Sequence, residues 1–135
     1  MALRQTYLSL KGKLPPEAEV VLVMRGRGSD ELAPSKALFD EFKRREAACR
    51  DTTGDPAEAA WRAFREADYE GRFTAEILGS DAARARLGEL ARRSRERDVF
   101  LVCYEGYDKP CHRHLLLQIA RDGFGAVVDE TPFRA

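Results

Sequence analysis

Continuous apolar runs alternate along this chain with stretches whose apolar residues recur every three or four positions. Val20-Val21-Leu22-Val23-Met24 and Val99-Phe100-Leu101-Val102-Cys103-Tyr104 are of the first kind. Such runs predict strands buried on both faces, as in parallel sheets. Leu3 to Leu10, with Leu3, Tyr7, Leu8 and Leu10 apolar, predicts a short edge strand or extended arm that Pro15-Pro16 interrupts. Pro34-Ser35 opens a helix with Leu38, Phe39, Phe42 and Cys49 on one face. Asp55 and Glu58 form a capping box around Pro56, and Trp61, Phe64, Ala67, Phe73 and Ile77 line the next helical stretch, which Gly71 bends or splits. Gly79-Ser80 reads as a stop and a new N-cap, followed by Ala83, Leu87, Leu90 and Ala91 on a helix ending near Arg95. A last helix runs from about Cys111 to Arg121, buried through Leu115, Leu116, Ile119 and Ala120 and capped by Gly123, before a short strand at Ala126-Val127-Val128.

Strands separated by long helical segments imply a layered α/β sheet. At 135 residues the chain forms one domain, long enough to bury roughly two thirds of its unfolded surface. Lys plus Arg equals Asp plus Glu at 23 each, so the basic excess of a dedicated nucleic-acid binder is missing. No run approaches the ~20 apolar residues that span a bilayer. Three cysteines, Cys49, Cys103 and Cys111, and a polar start argue against a secreted disulfide framework, so the cytoplasm is the expected setting. The charge balance leaves the oligomeric state open.

The chemistry concentrates where the strand ending at Tyr104 passes through Glu105 and a polar loop into Cys111-His112-Arg113-His114. Ligands of α/β sheets bind at strand tips, and a helix N-terminus favours anions and thiolates. Cys111 is therefore a candidate nucleophile or anion ligand; the alternative is a small residue packed where a helix starts. Arg113 suits a bidentate anion clamp, against the alternative of a solvated arginine. Arg25 follows a strand expected to be central, and a neighbouring parallel strand would bring Arg25 and Glu105 to one rim. Glu105 is a candidate general acid or base, or the partner of an arginine. His112 and His114 lie about 200° apart on a helix, so they do not share one metal. His112 is a candidate ligand-binding group or a hydrogen-bonded structural imidazole, and His114 reads as a solvated surface residue. Cys103, Cys111 and one histidine can converge, but their spacing matches no standard zinc pattern, and no metal is expected. The cofactor is left unknown: Arg25-Gly26-Arg27-Gly28 is an incomplete dinucleotide fingerprint, because position 31 is Glu, and no P-loop is present. Trp61, Phe64 and Phe73 follow helical spacing and read as core.

The segment Val99 to Glu105 followed by Cys111-His112-Arg113 resembles the C-terminal signature of the domain-of-unknown-function family numbered 488. Leu32-Ala33-Pro34-Ser35, the pair Tyr69 and Phe73, and Val20 to Arg25 resemble further pieces of that family in the same order. The resemblance covers nearly the whole chain, 1–135. It implies a Rossmann-like three-layer α/β/α sandwich with a mainly parallel sheet, and a site near Arg25, Glu105, Cys111, His112 and Arg113. It implies no particular reaction. Gly26-Arg27-Gly28 departs from the Trp or Pro that the family's pattern leads one to expect after the arginine.

Three functions are then open. The first is a small enzyme acting on an anionic or nucleotide-like substrate, with Cys111 and Glu105 catalytic and Arg25, His112 and Arg113 binding. The second is a non-catalytic module that binds a small anion or nucleotide. The third is a Cys-His-Arg cluster that merely holds helix to sheet.

Overall fold

The computed structural model describes residues 1–135. Three parallel strands, β1 (Leu3–Tyr7), β2 (Glu19–Leu22) and β3 (Val99–Cys103), form one sheet in the order β1-β3-β2. Five α-helices follow the chain as α1 (Lys36–Thr53), α2 (Pro56–Glu66), α3 (Tyr69–Leu78), α4 (Asp81–Arg93) and α5 (His112–Phe124). Short 3-10 turns occupy Leu8–Lys13 and Asp30–Leu32.

β3 is the strand with partners on both sides, and all five of its residues are buried. β2, expected to be central, is an edge strand, with Val20 and Leu22 only half-buried. Its apolar run marks two partly covered faces, which a sequence pattern does not distinguish from a central position. The pairing of β2 with β3 still holds, so their C-terminal ends share one rim. The expected strand at 126–128 is reduced to a single bridge between Leu3 and Val128.

Side chains alternate across a strand. Leu3, Val21, Val99, Leu101 and Cys103 join the residues of all five α-helices in one core. Phe100 belongs to the opposite face. There its ring meets Phe133 at 5.5 Å, with the Arg4 guanidinium over both rings. The arrangement is mixed α/β around a small parallel sheet, with the C-terminal segment lying over Phe100.

Local chemistry sets the helix boundaries. Ser35 caps α1 by accepting from the Leu38 N–H, and Ser80 caps α4 through Ala83. Asp55 accepts from Ala57 and Glu58 with Pro56 in the first turn of α2. The stretch containing Gly71 does split, but at Asp68, whose φ of 49° is left-handed. A Cβ on Gly71 would lie 2.9 Å from the Asp68 carboxylate, so the break and the glycine are one feature. α5 runs past the expected Gly123 cap to Gly125, which takes the left-handed φ of 68°. No helix is long and apolar enough to cross a membrane.

Ser35 also binds α3: its N–H and Oγ–H both donate to the Glu76 carboxylate. Ser35→Ala should lower stability by about 1–2 kcal/mol. The check is a urea melt in which the midpoint falls and the slope is unchanged.

Candidate functional site

The C-terminal ends of β2 and β3 open into a cavity of about 440 Å³. Phe42, Phe64 and Tyr69 form its apolar wall, contributed by α1, α2 and α3. Cys103, Cys111 and His112 lie at its base, and Arg25, Lys36, Lys43 and Glu105 also border it. The wall is a packed aromatic set: Phe64 stacks on Tyr69 at 4.5 Å, and Phe42 meets both rings edge-on.

Cys111 is the N-cap residue of α5, and His112 is the first residue inside the helix. Cys111 Sγ stands 3.6 Å from His112 Nδ1. His112 Nε2 lies 2.9 Å from the Val23 carbonyl oxygen. A carbonyl only accepts, so Nε2 carries the proton and donates, and in the neutral ring Nδ1 presents its lone pair to the thiol. Cys103, at the last position of β3, completes the group: its Sγ, Cys111 Sγ and His112 Nδ1 all lie within 4.8 Å of one another. All three cysteines are free.

This environment separates the two thiols. A hydrogen bond from Cys103 holds the Cys111 thiol well below its ordinary range, assisted by the charge and hydrogen bond of His112 and by the Arg113 charge; burial opposes them. The same contact and burial push Cys103 up. One sulfur is thus poised to ionise while its neighbour keeps a proton to donate to it.

The other expected residues divide. Arg25 is exposed at the cavity's border and donates to the Pro34 carbonyl at 2.5 Å. Glu105 also borders the cavity, about one third exposed (32%), and pairs with Lys43 at 3.7 Å. Arg113 does not line the cavity. One residue along a helix turns a side chain by about 100°, and Arg113 lies under the Tyr107 ring, 2% exposed, donating to the Gly106 carbonyl. Its Nε and Nη1 have no partner. It acts on Cys111 through its charge, without contact with the cavity. His114, expected in solvent, sits against Trp61 and Phe64, and burial lowers its pKa.

In the sequence, Cys103 is weighed only as a metal ligand beside Cys111 and a histidine and is set aside on spacing, and Tyr69 and Lys43 are not singled out as site residues. Cys103 was findable: its parity with Val99 and Leu101 puts it on the helix-facing side at the strand's tip. Tyr69 and Lys43 carried no such signal, because their approach depends on how α1 and α3 pack.

A family model, DUF488-N3a, described as "Active DUF488-N3 subclade", matches residues 28–122. The matched span contains Glu105, Cys103, Cys111 and His112 and begins after Arg25. No curated protein and no solved structure matches the chain.

Alkylation of Cys111 by iodoacetamide, followed by peptide mass spectrometry, should rise with pH to a plateau whose midpoint lies below the free-thiol value of about 8.5. Cys103→Ala removes the donor and should move that midpoint upward. The lowered pKa of His114 also has a sign in stability. The unfolded ring takes up a proton near pH ~6.5, before the folded ring does. Stability therefore falls as the pH drops through that value toward the folded one. His114→Phe should flatten this part of the stability–pH curve in chemical denaturation.

Proposed function

The chain belongs to the DUF488 family, and we propose that it is a small cysteine-dependent enzyme acting on an anionic, nucleotide-like substrate. The observation that carries this reading is the Cys103–Cys111–His112 group at the base of an aromatic-walled cavity. The thiolate of Cys111 is the nucleophile: its proton passes to His112 Nδ1, and the resulting imidazolium and the Cys103 S–H hold the sulfur. Glu105 at the border serves as general acid or base toward the leaving group. A cavity of this size takes a small ligand rather than a polymer. The description of the matching subclade as active favours an enzyme over a purely structural cluster.

The cations explain the anionic preference. Lys36 is paired with Asp40, and Lys43 is shared between Glu46 and Glu105. Arg25 has no carboxylate partner, and one carbonyl leaves most of its five N–H donors free for a phosphate or carboxylate. Flat apolar rings fit the Phe42, Phe64 and Tyr69 wall, and a charged group would then lie at the Arg25 border. Arg113 contributes field rather than contact. Three free thiols suit a reducing, cytoplasmic setting. A Rossmann-like reading of the fold goes with this proposal: the parallel sheet and the cavity at its strand tips support it.

A second reading, a binding module without turnover, is favoured by the same unpaired Arg25. Thermal melts with phosphate, sulfate and nucleoside phosphates separate the readings, joined to product analysis by mass spectrometry. At least one nucleoside phosphate should raise Tm, and Arg25→Gln should weaken its binding about tenfold or more, the loss of one charge-assisted contact. Cys111→Ser should abolish turnover and leave binding in place. Binding with no Cys111-dependent turnover would establish the module. No stabilising anion, together with a Cys111→Ser variant that merely melts earlier, would leave the structural cluster.

A further inference from the structure

We infer that Cys103 Sγ, Cys111 Sγ and His112 Nδ1 form a three-donor site for a borderline-soft divalent cation, zinc above all, with the fourth position open to the cavity. Two sulfurs and one imidazole nitrogen are the donor set that selects zinc over magnesium or calcium. The geometry fits. Donors about 2.3 Å (sulfur) and about 2.05 Å (nitrogen) from one zinc at a tetrahedral angle stand ~3.6 Å apart, and two such sulfurs ~3.8 Å. Cys111 Sγ and His112 Nδ1 are 3.6 Å apart, and all three donor atoms fall within 4.8 Å of one another.

An independent observation orients the ring. Metal-bound histidines donate their other ring N–H to a carbonyl or carboxylate, which leaves the remaining nitrogen bare for the ion. His112 meets this condition through its 2.9 Å bond to the Val23 carbonyl. The donors also stand on firm supports: the end of β3, the N-cap of α5 and the first residue of α5. All three side chains are buried yet border the cavity, so they are dry but reachable. On binding, Cys103 and the Cys111–His112 pair each release one proton to solvent, and each sulfur gives an electron pair to the ion. Two thiolates then neutralise the dication, as a buried site requires.

The inference goes beyond the catalytic proposal and does not rest on it. The sulfur lone pair that would attack a substrate is the one that binds the ion, so a bound cation silences Cys111. The site makes the protein metal-sensitive.

The test is titration of the reduced 135-residue chain with Co(II), read by the thiolate-to-cobalt charge-transfer band and the visible bands of tetrahedral cobalt. One equivalent should saturate both, and Zn(II) should displace the cobalt stoichiometrically. Zn(II) should also block iodoacetamide labelling of Cys111 in the wild-type chain, a readout that needs no variant. Cys103→Ala and His112→Ala should each weaken binding at least about a hundredfold, more than the loss of an outer-shell partner costs. Cys49→Ala should leave it unchanged. Absence of the charge-transfer band, or an unchanged cobalt affinity in Cys103→Ala with circular dichroism showing a native fold, overturns the inference. Either result leaves the substrate and turnover assays standing on their own.

Discussion

The hydrogen bond from His112 Nε2–H to the Val23 carbonyl is the constraint on which the site depends. It crosses from the start of α5 to the residue just after β2, two pieces of chain 89 positions apart. It fixes which ring nitrogen carries the proton, and so which nitrogen faces the sulfurs. Without it the imidazole would be free to turn, and neither a thiolate–imidazole pair nor a three-donor set would have a defined geometry. Phe73 supports the ring from another side, edge-on at 5.5 Å, so the imidazole is held by packing as well. The bond is made by two buried residues, where an unpaired partner would be costly.

Around that fixed ring the electrostatics are arranged in layers. Cys103 supplies a neutral hydrogen bond, and Arg113 supplies a charge from beneath Tyr107 without entering the cavity. At the border, lysines are tied to carboxylates while Arg25 keeps its donors. A buried guanidinium with two unpartnered nitrogens is an expensive thing to keep. Its influence on the neighbouring thiol is a physical reason for keeping it there.

Much of this was legible in the sequence. The apolar runs at 20–24 and 99–104 located the two strands that carry the site, and Ser35, Asp55-Pro56 and Ser80 marked the helix starts through their side-chain oxygens. Cys111 at a helix N-terminus followed from the polar loop before it. What stayed hidden depends on non-local contacts. Strand order is set by which strand finds two partners, and an apolar run does not encode that, so β2 passed for central. The side on which Arg113 lands depends on a rotation of one residue against a helix start that a pattern places only to within a few positions. His114 was misread because the rings that cover it come from α2, some fifty residues earlier.

Trp61 is the chain's one tryptophan, and its indole N–H donates to the carbonyl of Asp108 at 2.9 Å. Asp108 belongs to the loop that joins Cys103 to Cys111. The indole is still about one third open to water (37% exposed) and lies edge-on to Phe64 on the cavity wall. Any event that lifts the loop, or moves the wall, changes the polarity around this ring. The molecule thus has a native fluorophore clipped to its most consequential loop, and its emission can follow events at the sulfurs without a dye, a label or an added reporter.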